Sequence, residues 1–169
     1  MSLNPKMTPF DILAVAIRAE IEAGKFYSSL HKKVRNEILK LKLKFLISEE
    51  KKHRQILERL FSRRFPDKKL VIPGKSFLPP IKISVDEKPS VLDLFKFALK
   101  AEKLSEKFYK EAEEKAKEKE AKRILGYLSR VERSHYFMIK SEIDMLNKFP
   151  DYYNVEDFHV GQDMFHVGP

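Results

Sequence analysis

A shift of 82 residues lays one half of this chain on the other: Ala19-Glu20 on Ala101-Glu102, Lys25-Phe26-Tyr27 on Lys107-Phe108-Tyr109, Leu43 on Leu125, Leu46 on Leu128, Glu50 on Glu132 and His53 on His135. The apolar residues of each half recur with the helical period, so the repeated unit is a helical hairpin used twice. Chain length constrains the hairpin further. If the first helix continues from Glu20 to about residue 34 and the second returns from about residue 36 to Glu50, each arm is about 14 residues or roughly 21 Å, and the two acids return to one level. The same holds for Glu102 and Glu132 about a turn near residue 117.

Thr8-Pro9-Phe10-Asp11 places a hydroxyl at an N-cap, proline at the first helical position and an acid at the third. Ser90-Val91-Leu92-Asp93 repeats that capping logic. Pro66 and Pro150 close helical stretches, because a proline disfavours helix in the residue before it. The spacing predicts helices over about 9–34, 36–65, 90–115 and 119–149. No glycine or proline marks the break between the last two; the apolar stripe does. Continuing the face of Ala98, Glu102, Ser105 and Ala112 at 3.6 residues per turn leads to about 119, 123 and 126, whereas the next apolar face is Ala121, Ile124, Leu125, Leu128 and Val131. A reversal between about 114 and 119 turns both faces into one core. Residues 66–89 hold Pro66, Pro73, Gly74, Pro79, Pro80 and Pro89 and no helical period, and so form a long extended crossover. About 25 residues at roughly 3.3 Å each can span the about 40 Å of a helix, which lets the second and third helices run parallel. The expected fold is all-α, a four-helix bundle of two duplicated hairpins with a long crossover. Residues 150–169 are expected to be a tail that orders on contact.

The 169 residues, 43% apolar, suffice for one domain spanning 1–169. No cysteine is present, which excludes disulfides, thiolate zinc, iron–sulfur clusters and a cysteine nucleophile. Any metal must be held by oxygen and imidazole. No apolar run approaches the about 18 residues of a membrane span, so no membrane partner is expected. Arg18 and Glu20 break the N-terminal apolar stretch too early for a signal peptide, and the chain is expected to be cytoplasmic. The net charge of +9 would suit nucleic acid, but it also suits a Lys/Glu-rich surface. The KKHR run at 51–54 and the Lys/Glu stretch at 113–123 are simplest as solvated faces. His31, His159 and His166 lack matched acidic partners and are expected at surfaces or contacts.

Each half reads Glu, thirty residues, then Glu-x-x-His. One Glu-x-x-His is weak evidence in a chain so rich in Glu; Glu156 and His159 share the spacing without a partner. The duplicated set differs, because Glu20, Glu50, His53, Glu102, Glu132 and His135 lie on or beside the apolar stripes. Buried there, four carboxylates would repel one another unless cations neutralised them. Two metal ions remove the objection, and carboxylate with imidazole suits iron or manganese. Tyr27 and Tyr109 follow Glu20 and Glu102 by seven residues, two turns along the same face, where their hydroxyls can reach a ligand carboxylate. Glu49, four residues before His53, is either an acceptor for that imidazole or a solvated acid.

This order of residues resembles the di-iron signature of the ferritin-like superfamily, most nearly its rubrerythrin branch, over roughly residues 9–149. The resemblance implies a ferritin-like bundle binding two iron ions, with manganese or zinc as substitutes. It implies that Glu50 and Glu132 bridge the metals, with Glu20 and His53 completing one ion and Glu102 and His135 the other. Tyr27 and Tyr109 are then second-layer residues around the metal site. Rubrerythrins usually carry a further Glu one turn beyond the first ligand of the third helix, where this chain has Ser105. With no cysteine in the sequence, a rubredoxin-like domain is not expected in it. The expected function is an oxidoreductase acting on peroxide or dioxygen, with ferroxidase activity and an unidentified electron donor, in a homo-oligomer such as a dimer. The competing readings are a non-catalytic iron-storage protein and, last, a basic nucleic-acid-binding module, for which there is charge but no aromatic–basic interleaving.

Overall fold

Local signals start and stop the helices close to where the sequence places them. A computed structural model describes residues 3, 4, 6–78 and 90–150, which form α1 (Pro9–Lys33), α2 (Glu37–Arg64), α3 (Val91–Lys115) and α4 (Lys119–Lys148). Thr8 and Ser90 close matching capping boxes. The Asp11 amide donates to Thr8 Oγ1 at 3.2 Å and the Thr8 amide to Asp11 Oδ2 at 2.9 Å, while the Asp93 and Ser90 amides make the same exchange at 3.1 and 3.3 Å. Asn36 caps α2 by accepting from the Leu39 amide at 3.0 Å. The helices end at Val34 and Ala116, positions related by the same 82-residue shift, so the repeat includes its turns as well as its ligand-type residues.

Helix directions follow from who bonds to whom. Tyr27 bonds to Glu102 and Tyr109 to Glu20, so numbers rise along α1 as they fall along α3. Lys42 pairs with Glu142, His53 with Glu132 and Arg63 with Glu120, which makes α2 and α4 antiparallel too. Each hairpin reverses the chain, so α2 and α3 run parallel, and the end of α2 and the start of α3 lie at opposite ends of the bundle. Leu70, Ile72 and Phe77 of the α2–α3 connection pack on the core, with Phe77 stacked on Phe108 at a centroid separation of 4.1 Å. Among the described residues no strand forms; Ile72 serves as an apolar contact on the extended chain, while Val71 is exposed. Ile81, Ile83, Val85 and the tail after Pro150 lie outside the described residues. No described helix is long and apolar enough to cross a membrane.

The buried core is divided. One apolar cluster gathers Ile17, Leu57, Leu60, Phe61, Tyr109, Leu125 and Leu128; the other gathers Tyr27, Leu30, Leu39, Leu43, Leu46, Phe95 and Ile139. A layer of buried acids and histidines lies between them. Helices within a hairpin pack closely, whereas α1 with α3 and α2 with α4 touch sparingly. That spacing leaves room for the polar layer. At Gly24 an added Cβ would stand 3.7 Å from the Glu50 Cβ, an ordinary contact, so α1 and α2 approach closely there without needing glycine.

Candidate metal centre

Six charged or ionisable side chains are buried where the two hairpins meet. Glu20, Glu50, His53, Glu102, Glu132 and His135 are each no more than 4% exposed. Every pair expected from the repeat arrives at the same level, as the matched arm lengths require. His53 Nδ1 lies 3.0 Å from Glu132, 3.4 Å from Glu20 and 3.6 Å from Glu50. His135 Nδ1 lies 3.6 Å from both Glu50 and Glu102. Two groups of four result, Glu20-Glu50-His53-Glu132 and Glu50-Glu102-Glu132-His135, with the potential ligand atoms of each within 4.8 Å of one another. Glu50 and Glu132 belong to both groups. The imidazoles stack at 5.5 Å between centroids.

The hydrogen bonding tests whether metal fits. Each of the six has at least one buried oxygen or nitrogen with no hydrogen-bond partner: Glu20 Oε2, Glu50 Oε1, Glu102 Oε2, Glu132 Oε1 and both nitrogens of each histidine. Buried polar atoms are otherwise nearly always satisfied, so this many unpartnered atoms facing one another suit the ligand sphere of cations. A donor set of oxygen and imidazole without sulfur suits iron or manganese. The residues fit two metal ions.

Electrostatics agree. Burial pushes the Glu50 carboxyl well above the usual range, and the charges of Glu132 and Glu20 push it further. Burial acts likewise on Glu132, reinforced by Glu102 and Glu20. Burial would also raise Glu20, but His53, Glu50 and Tyr109 outweigh it and bring that carboxyl below its ordinary value. His53 is raised although burial opposes it, because Glu132, Glu20 and Glu50 favour its cation.

Tyr27 and Tyr109 reach ligand-type carboxylates, but across the repeat. Tyr27 Oη donates to Glu102 Oε1 and Tyr109 Oη to Glu20 Oε1. Antiparallel pairing of α1 and α3 causes the exchange, since seven residues along one helix returns to the level of the acid on the other. Burial first, then Glu102 for Tyr27 and Glu20 for Tyr109, raises both phenols well above their ordinary value, which keeps them neutral donors. Glu49 is half-buried, its carboxylate bonded by Lys52 at 2.6 Å, and an oxygen of it lies within 4.8 Å of a nitrogen of both His53 and His135. His31 joins no such group, and His159 and His166 lie outside the described residues.

Some site features are not apparent from the repeat. Glu142 is buried and paired with Lys42 at 2.5 Å, and buried Ser129 donates to the Glu106 carbonyl at 3.1 Å. Both stand on the apolar stripe of α4, a signal available in the periodicity. Ser105 is buried one turn beyond Glu102 and lines a cavity that opens on the cluster.

The rubrerythrin family model matches residues 11–143 of the chain. A solved structure of a hypothetical protein from Pyrococcus furiosus is similar, with 38% sequence identity, a TM-score of 0.76, and coverage of 84% of this chain and 92% of that one. No curated protein matches the chain.

Proposed function

The chain belongs to the rubrerythrin family, and from that premise we propose that it is a di-iron oxidoreductase that reacts with peroxide or dioxygen. The observation that carries the reading is the sharing of Glu50 and Glu132 by two overlapping four-residue groups. Glu20 and His53 would hold one ion, Glu102 and His135 the other, and Glu50 and Glu132 both. A pair of irons so held supplies two electrons to an oxidant. The chain's own residues do the rest. Tyr109 and Tyr27 fix the outer carboxylates by donating to Glu20 and Glu102, and the apolar clusters pack above and below the polar layer. Ser105 leaves the turn after Glu102 without the further carboxylate, so the oxidant meets a neutral hydroxyl there.

The test is to load the protein anaerobically with Fe(II), mix it with peroxide or with dioxygen, and follow oxidation by stopped flow. Oxidation by at least one of them faster than that of free Fe(II) at the same concentration is expected. Equal rates with and without protein, despite bound iron, would leave a storage role and reject the oxidoreductase.

A further inference from the structure

The cluster forms the inner end of a cavity far larger than its expected oxidants need. Between α1 and α3, where the helices stand apart, a space of about 590 Å³ runs from exposed Lys25 and Lys75 inward to Glu20, Glu50, Glu102 and Glu132. Its walls are Ala19, Ala23, Phe26, Leu78, Phe97 and Ala101. Dioxygen and peroxide have two heavy atoms each and compare in size with water, whose share of liquid volume is about 30 Å³. Cavities of about 300–1,000 Å³ with apolar walls and a few polar groups are characteristic of sites for organic molecules.

The two ends differ in charge, which orients an occupant. Lys25 and Lys75 make no hydrogen bond or ion pair among the described residues, whereas nearby Glu22 is already engaged by Arg18 and Ser76. The mouth therefore offers net positive charge. At the inner end four carboxylates would balance two divalent ions, leaving no positive excess to attract an anion. An anionic head thus belongs at the mouth and an apolar chain along the walls.

We propose that this cavity binds a free amphiphilic carboxylate, with its head at Lys25 and Lys75, its unbranched chain between Ala23, Phe26, Phe97 and Ala101, and the far end of that chain beside the acid–histidine cluster. The inner end of this assignment rests on the metal-centre reading, and it names the organic molecule that such a centre would face.

The experiment is calorimetric titration of decanoate, below its micelle concentration, into the full chain, metal-free and iron-loaded, with decanol as the uncharged control and iron content measured on the same samples. One decanoate per chain is expected, with decanol bound more weakly. Ala23→Phe fills the cavity and should weaken binding by about tenfold or more, as apolar pockets are sensitive to single methylene groups. The double variant Lys25→Glu/Lys75→Glu, at two exposed positions, should weaken decanoate but not decanol. Absence of decanoate binding in both forms, or binding unchanged in both variants, overturns the proposal. Iron bound without decanoate would reject this inference and spare the metal centre; decanoate bound without iron would do the reverse.

Discussion

Removing either tyrosine hydroxyl should destabilise the metal-free protein by about 2 kcal/mol, and by nearly the same amount in the two halves. Tyr27 and Tyr109 are 1% and 0% exposed, so Tyr→Phe leaves ring packing intact. What is lost is one hydrogen bond to a buried carboxylate, Glu102 Oε1 in one case and Glu20 Oε1 in the other. Hydrogen bonds to charged groups contribute about 1.5–3 kcal/mol, and an acceptor left unsatisfied adds to the loss. With a urea dependence of about 2 kcal/mol per molar, each substitution should move the unfolding midpoint by about 1 M. Both carboxylates belong to one cluster through Glu50 and Glu132, so the departure of the double variant from the sum of the singles measures the coupling between the halves. Urea unfolding followed by circular dichroism measures all three. A loss below about 0.5 kcal/mol in either single variant would mean that the hydroxyl does not hold its carboxylate.

Ser105→Glu adds an anionic oxygen beside Glu102 and should raise the rate at which peroxide oxidises the iron-loaded protein by about tenfold, a 1.4 kcal/mol change in barrier; an unchanged stopped-flow rate would show that Ser105 does not limit the chemistry. Glu49→Gln should weaken iron binding by about tenfold, because the acid lies near both imidazoles; an unaltered affinity in competition with a chelator would make Glu49 a solvated acid. Burial and neighbouring acids hold the Glu50 and Glu132 carboxyls protonated above the ordinary carboxylate range, so metal uptake must expel protons and weaken as pH falls. Calorimetry with Mn(II) at about pH 6, in two buffers of different ionisation enthalpy, should register that release, and none would contradict the shifts.

The repeat made most of the bundle legible, because helical period and capping boxes are local. Each helix boundary lies within a residue of its expected place, and the turn near residue 117 was visible only as a change of side in the apolar stripe. The gathering of the six residues follows from arm lengths. That each tyrosine crosses to the other hairpin does not, since it depends on α1 lying antiparallel to α3, a relation set by packing between halves. The cavity was equally hidden. It exists because α1 and α3 stand apart, with Ala19 and Ala23 on one helix and Ala101 and Ser105 on the other, and small residues carry no periodic signal that says what they leave empty. Burial of Glu142 ran against the usual exposure of acids and needed knowledge of Lys42 on the neighbouring helix.

The central claim is a two-metal centre shared through Glu50 and Glu132, and anaerobic titration of metal-free protein with Fe(II), read by elemental analysis after desalting, tests it most directly. Two irons per chain are predicted for the native sequence, with neither retained at full stoichiometry in Glu50→Ala or Glu132→Ala, because each acid belongs to both groups. Native stoichiometry below one iron per chain, or two irons retained in both variants, would contradict it.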